Sequence, residues 1–170
     1  ATNNIVSVAC GYEHTCAVNA DGAMFCWGKD SYGQLGNPSI VTYSSNPVQV
    51  LGITSGAASA WTGWYNSFAL MQNGAVQAFG RDQYGGLFGT GSTGNQVVPI
   101  VYGQGVSSVV EIRGGVSATC VLLQNDQVRC TGDNQFGQLG VGSTTSSLTL
   151  VGMTGLPTMA PTTLQPTTPT

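Results

Sequence analysis

Shifted by 52 residues, and then by 52 again, this chain falls on itself without a gap. His14-Thr15-Cys16-Ala17-Val18 meets Asn66-Ser67-Phe68-Ala69-Leu70 and then Ala118-Thr119-Cys120-Val121-Leu122. Downstream, Tyr32-Gly33-Gln34-Leu35 meets Tyr84-Gly85-Gly86-Leu87 and Phe136-Gly137-Gln138-Leu139. A fixed period of this length marks stacked supersecondary units, each too small to bury an apolar face alone. Three units are expected, at about residues 5–56, 57–108 and 109–156 of one domain spanning 1–156. A Pro/Thr-rich segment follows at 157–170.

Composition narrows the function classes. Charged residues make up 6% of the chain, against roughly 25% in ordinary soluble domains, so solubility falls to Ser, Thr, Asn and Gln. The net charge of -3 comes from seven acids and four bases scattered singly. Without a basic stripe a nucleic-acid backbone has nothing to grip, and no nucleic-acid partner is expected. No apolar run approaches the ~18 residues of a membrane span. The chain opens at Ala1 with no signal-like segment, which reads as a processed product or an excerpt of something longer. Twenty-five glycines and little helical periodicity point to short strands joined by turns.

The cysteines fall at hairpin spacing. Cys16 and Cys26 are ten residues apart, as are Cys120 and Cys130. Between them lie the turn sequences Ala20-Asp21-Gly22 and Gln124-Asn125-Asp126, with a residue that tolerates the left-handed region in last place. A three-residue hairpin centred on Asp21 sets Cys16 opposite Cys26; the same geometry sets Cys120 opposite Cys130. Opposed Cβ atoms lie ~4.5–5.5 Å apart, and a disulfide needs only modest adjustment from there. In the middle unit Phe68 and Ala78 stand at the matching places. Both cysteines are absent together, as bonded partners require. Free buried thiols and a zinc site are the rival readings; the spacing is not the usual C-x₂₋₄-C. Disulfides imply an oxidising setting, hence an extracellular or cell-surface protein. Cys10 is left over, either as a small buried residue of the strand Val6–Cys10 or as a free or intermolecular thiol.

Four strands per unit are expected, near 5–10, 14–19, 23–28 and 46–51, then 57–62, 66–71, 75–80 and 98–103, then 109–113, 118–123, 127–132 and 148–152. Gly11, Gly63 and Gly115 recur at the end of each first strand, which points to a crowded backbone or a positive φ. The Pro/Thr segment reads as extended polyproline II, an O-glycosylated stalk carrying sugar at Thr158, Thr162, Thr163, Thr167 and Thr168, or an unmodified spacer. No Asn-x-Ser/Thr site has an allowed middle residue. Trp61, Trp64 and Tyr65 cluster around Gly63, with Tyr12 at the matching place in the first unit. Such rings serve protein interfaces, sugar stacking or packing between units. His14 is the sole histidine and becomes Asn66 and Ala118 in the other units. A hydrogen-bonding role is expected there, with no catalytic triad, cofactor or metal.

Taken together, Val8-Ala9-Cys10-Gly11-x-x-His14-Thr15-Cys16-Ala17-Val18, Asp21-Gly22, Cys26-Trp27-Gly28 and Tyr32-Gly33-Gln34-Leu35-Gly36 closely resemble the regulator of chromosome condensation repeat. The resemblance runs from residue 5 to about 152. It is weakest in the second unit, where Gly86 stands for Gln and Phe88 for the final Gly. It implies an all-β fold of three four-stranded antiparallel blades of the β-propeller type. Family rings close with about seven blades, and propellers generally need ~4–8. Three blades therefore form an open arc, and its two bare faces mark interaction surfaces. Expected partners are copies of this chain, in a ring or filament, or further blades of a longer chain, with covalent glycans on the tail. The resulting expectation is a non-enzymatic extracellular structural or adhesive protein. The alternatives are a protein- or glycan-binding propeller module and a small-GTPase exchange-factor-like propeller. The paired cysteines and the absence of an identifiable acidic binding face weigh against the exchange factor.

Overall fold

The computed structural model describes residues 4–40, 42–83 and 86–155. The Pro/Thr-rich segment, with Thr158, Thr162, Thr163, Thr167 and Thr168, lies outside them. Among the described residues, twelve strands form three separate sheets. The first holds β1 (Ile5–Cys10), β2 (His14–Asn19), β3 (Met24–Lys29) and β4 (Tyr43–Gln49). The second holds β5 (Ala57–Thr62), β6 (Asn66–Met71), β7 (Val76–Gly80) and β8 (Gln96–Val101). The third holds β9 (Val109–Gly114), β10 (Ala118–Leu123), β11 (Val128–Gly132) and β12 (Ser147–Gly152). Each sheet is antiparallel in simple chain order. These are propeller blades, and three of them make an open arc.

The hairpin geometry follows from the turns. Cys16 pairs with Cys26, Phe68 with Ala78, and Cys120 with Cys130. The last turn residue is left-handed in all three: Gly22 at φ 79°, Gly74 at 77° and Asp126 at 64°. The short Asp side chain makes that region accessible without glycine. The fourth strands start earlier than the sequence suggests, because pairing continues past a bulge between the Cys26 and Gly28 pairs, with Ser44 facing Gly28 and Tyr43 facing Lys29. In the second blade the strand stops at Val101, and Tyr102 begins a single 3₁₀ turn with its ring fully buried.

The blades stack face to face. Val18, Met24, Leu35, Val50 and Ile53 of the first pack on Ala60, Ala69 and Phe79 of the second. Phe68, Leu70, Ala78, Phe88 and Tyr102 of the second pack on Val109, Ile112, Val121 and Leu123 of the third. Every blade thus presents one set of repeat positions forward and another backward. The first strands β1, β5 and β9 approach one another across blades, which makes them the inner edge of the arc.

Two faces have no blade against them. On the first sheet Ile5 and Val8 are 47% and 64% exposed, whereas their repeat equivalents Ala57 and Ala60 are 2% and 3% exposed. Ala17, Phe25 and Trp27 line the same shallow groove. On the third sheet Cys120, Leu122 and Val128 occupy the positions that Phe68, Leu70 and Val76 fill in a core, and they are only half-buried.

The structure corrects the gap-free repeat. The turn in which Gly36 N–H donates to the Gly33 carbonyl recurs as Gly89 to Gly86 and Gly140 to Gly137. That places Gly86 in the role of Gly33, one residue later than the 52-residue shift, so the second blade carries one extra residue between Asp82 and Gly86. Phe88 accordingly fills the place of Leu35 rather than that of Gly36. Both side chains are fully buried.

Candidate functional site

The paired cysteines occupy the forward face of their blades. Cys16 and Cys26 are bonded with Cα atoms 4.1 Å apart, buried between the first and second sheets. Cys120 and Cys130 are bonded at the same Cα separation on the third sheet, which has no blade in front of it; Cys120 is half-buried and Cys130 is buried. Cys10 is a free, exposed thiol, not the buried strand residue that was one expectation. Strand alternation explains this. Ala9 points into the first core, so Cys10 points to the side that no blade covers. The Thr15 Oγ1 lies 3.9 Å from its sulfur.

His14 serves the junction between the first two blades. Its Nε2 lies 2.9 Å from Ser67 Oγ, and that hydroxyl donates to the Gln34 carbonyl at 2.8 Å. With its single proton committed there, Ser67 accepts from His14, so Nε2 carries a proton, and the depressed pKa makes it the sole proton of a ring that is neutral at pH 7. Burial lowers the His14 pKa to about 4, only partly offset by a hydrogen bond to the Asn66 backbone. A ring whose outward nitrogen already donates cannot take a proton from Ser67, and the pair is a structural clasp. The ring also explains Gly11. A Cβ there would collide with the His14 imidazole and lie 2.9 Å from the Gly63 carbonyl oxygen. At Gly63 a Cβ would collide with Asn66, whereas at Gly115, beside Ala118, the nearest atom is 3.4 Å away. Crowding is the reason for these glycines, since none of the three has a positive φ.

A second buried polar motif recurs at the start of the loop after each third strand, where Asp30 and Asp82 bond nearby backbone as residue type and position suggest, and Asn134, not Asp133, takes the part in the third blade. Asp30 Oδ1 accepts the Leu35 N–H at 2.7 Å, Asp82 Oδ1 the Phe88 N–H at 3.2 Å, and Asn134 Oδ1 the Leu139 N–H at 2.8 Å. Burial raises each carboxyl to about 6, against the pull of these same N–H bonds. The signal was present, because the three residues obey the 52-residue shift. They fasten the loop after each third strand.

Consecutive antiparallel strands place residues 11–13, 30–40, 63–65, 81–83 and 86–95 at one end of the arc. Here the structure gathers an aromatic surface. Tyr12 meets Trp64 at 5.2 Å and Tyr65 at 5.7 Å, edge-on at 70° and 88°. Trp64 and Tyr65 are stacked at 5.2 Å, and Tyr32 stands 5.1 Å beyond Tyr65. The Arg81 guanidinium lies 4.8 Å from the Tyr32 ring and 5.7 Å from that of Tyr65. Lys29 and Glu13 form a 2.8 Å ion pair between solvent-exposed side chains. Burial, then the neighbouring Glu13, raises the Tyr65 pKa. Tyr12 is 61% exposed and Trp64 37%. Trp61 is not part of this surface. Its ring packs against the second core, Nε1 donates to Ser59 Oγ at 3.0 Å, and the Arg113 guanidinium lies 3.8 Å from its centroid.

The geometry agrees with comparisons to known proteins. Two family models, both described as the regulator of chromosome condensation (RCC1) repeat, match residues 5–34 and 109–138 and residues 21–70. The probable E3 ubiquitin-protein ligase HERC4 of Homo sapiens is 33% identical over 148 residues, covering 85% of this chain and 14% of that protein. The ultraviolet-B receptor UVR8 of Arabidopsis thaliana is 33% identical over 142 residues, covering 82% of this chain and 32% of the receptor. Human WBSCR16 superposes with a TM-score of 0.76 at 25% identity, over 91% of this chain and 41% of that one. Prp20p of Saccharomyces cerevisiae superposes with a TM-score of 0.74 at 17% identity, over 92% and 40%. The chain thus spans well under half the length of each of these relatives. Matching family models, recurring motif and stacked four-stranded blades agree: the chain belongs to the regulator of chromosome condensation repeat family.

Proposed function

We propose that this chain is a non-enzymatic, protein-binding propeller module of an extracellular protein, and that further blades cover its two bare faces. One observation carries the reading. The apolar positions left open on the first and third sheets are those that lie in a core wherever a neighbouring blade is present. Additional blades of a longer chain are the covering this favours, since the relatives extend well beyond the matched region. The two cross-strand disulfides support an oxidising setting. The neutral, proton-donating His14 supports a role without catalysis.

A structural or adhesive role, in which copies stack head to tail and the Pro/Thr segment carries O-linked sugar, is the second reading; the composition of residues 157–170 favours it. Sedimentation of the 170-residue chain tests the bare faces. Concentration-dependent association is expected, abolished by Val8→Glu or Leu122→Glu. A monodisperse monomer at millimolar concentration would refute the reading. The length of the native polypeptide then separates extra blades from copies. Alkylation of the denatured protein tests the compartment, with one reactive thiol expected and five contradicting it.

A further inference from the structure

We propose that Cys10 is a cross-linking thiol. In a junction between two copies of this chain it lies against the Cys120–Cys130 disulfide of the neighbour and captures Cys120 by thiol–disulfide exchange. The inference rests on reading the two bare faces as halves of a blade junction, and it takes the opposite face of a second copy as the occupant of each.

The junctions inside the chain supply the template. Strand pairing sets Cys10 opposite Thr15, Thr62 opposite Ser67 and Gly114 opposite Thr119, so the three share one place in the blade. A Cβ at Gly114 would stand 3.0 Å from the Phe68 ring of the preceding blade. Phe68 in turn holds the place of Cys16 and Cys120. A first blade seated in front of the third sheet by the same junction therefore brings Cys10 to Cys120. The sizes fit. Where the forward position carries a phenyl ring, the position that meets it is glycine. Where it carries a compact cystine sulfur, at Cys16 and Cys120, the position that meets it has a side chain, Thr62 or Cys10.

Two further places match. A Cβ at Gly33 would lie 2.6 Å from the Val97 backbone and one at Gly86 3.0 Å from that of Leu148, each on the next blade, whereas one at Gly137 would meet nothing within 4 Å. Ser45, exposed on the first blade, stands in the register of Val97 and Leu148. A Cβ at Gly36 would stand 2.9 Å from the Phe79 ring of the next blade, whereas the three atoms nearest to one at Gly140 all belong to Met153 of its own blade. Trp27 pairs with Thr15 as Phe79 pairs with Ser67, and it presents its ring on the bare face of the first sheet. One chain thus holds both halves of a single junction. Two copies of three blades hold six, within the ~4–8 at which propellers close.

The approach suits exchange. Gly114 meets Phe68 from the side of Gly63 and Asn66, away from Ala78 on β7. By the same approach Cys10 reaches Cys120 from the side opposite to β11, which puts Cys130 in the leaving direction. Cys10 gives its proton to solvent and its sulfur attacks Cys120 Sγ. The Cys120–Cys130 bond breaks as the Cys10–Cys120 bond forms, and Cys130 leaves as a thiolate that takes up a proton. One disulfide and one thiol stand on each side of the step, so it needs no oxidant. Each junction moves the free thiol from Cys10 to Cys130.

The full chain is concentrated, quenched with acid, alkylated in denaturant, run on non-reducing gels and mapped by mass spectrometry. Covalent dimers that grow with concentration are expected, together with a Cys10–Cys120 linked peptide and alkylated Cys130. Cys10→Ser should abolish the covalent species and leave sedimentation unchanged, whereas Val8→Glu should abolish both. Cys130→Ser frees Cys120 without exchange, and on mild oxidation with diamide it should give the Cys10–Cys120 link between chains. A Cys10–Cys10 link, or links through Cys16 and Cys26, overturns the proposal. If the chain associates while Cys10 remains the alkylated thiol at every concentration, the cross-link fails and the reading of the bare faces stands. If the chain does not associate at all, both fall.

Discussion

Replacing Asp30 and Asp82 by Asn should stabilise this protein at neutral pH, and the third blade shows why. Asn134 occupies the equivalent position and accepts the same loop N–H, while its Nδ2 donates to the Ser143 and Thr145 carbonyls at 2.8 and 3.0 Å. The site therefore requires an acceptor but not a charge. Burial raises each carboxyl from 3.8 to about 6. In the window between those values the folded chain holds protons that the unfolded chain has released, so stability falls as pH rises through it. One pKa unit is worth 1.36 kcal/mol, and the retained N–H bonds and partial solvent screening reduce the realised cost to about 1–2 kcal/mol per site.

His14 acts in the opposite sense. Its pKa falls from 6.5 to about 4, so the unfolded chain binds the extra proton and stability is lost as pH drops through that range. The two effects oppose each other between pH 4 and 6 in the parent. Urea unfolding of Asp30→Asn/Asp82→Asn at pH 4, 5, 6 and 7.5 should show near-parent stability at pH 4 and about 2–4 kcal/mol gained at pH 7.5. The stability curve should rise with pH, since only the His14 contribution remains. A variant less stable than the parent at pH 7.5 would refute the reasoning, because it would mean that the ionised carboxylates are themselves favourable.

Three further expectations follow from the packing. Gly63→Ala, which drives a Cβ into Asn66, should cost about 1–3 kcal/mol in thermal or urea melts; Gly115→Ala, with its open neighbourhood, should lie within about 0.5 kcal/mol of the parent. Under graded reductant with alkylation and peptide mapping, Cys120 and Cys130 should be modified before Cys16 and Cys26, because only the second pair lies inside a covered core; the reverse order would contradict the assignment of faces. Replacing Cys120 and Cys130 by Ala should cost about 2.7 kcal/mol, the chain-entropy value for closing an 11-residue loop, read as a lower urea midpoint.

Much of the blade was legible in the sequence because its information is local. A turn residue that tolerates a left-handed φ fixes hairpin register, and register alone sets Cys16 against Cys26 and Cys120 against Cys130. The joint absence of both cysteines, with Phe68 and Ala78 in their places, speaks for pairing from the sequence alone. Periodicity similarly gave the blade number, and the blade number gave the open arc.

Other features rest on contacts between units, which no local pattern encodes. Trp61 and Trp64 are three residues apart, yet the end of β5 turns one into the packing against Arg113 and the other out toward Tyr12 of the preceding blade. The extra residue between Asp82 and Gly86 is masked in sequence by compensation further along the loop. It shows in the turn bonds, with Gly89 donating to Gly86 where Gly36 donates to Gly33, and in Asp82 bonding the N–H of Phe88 while Asp30 bonds that of Leu35. Cys10 is exposed because strand alternation turns it to the face that no blade covers. Sequence by itself determined the register of the central hairpin of each blade, since those bonds join residues only a turn apart, whereas the fourth strand, reached through a long loop, starts earlier than the sequence suggests. Tertiary structure decided which face of each blade is buried, because burial depends on a second surface some fifty residues away.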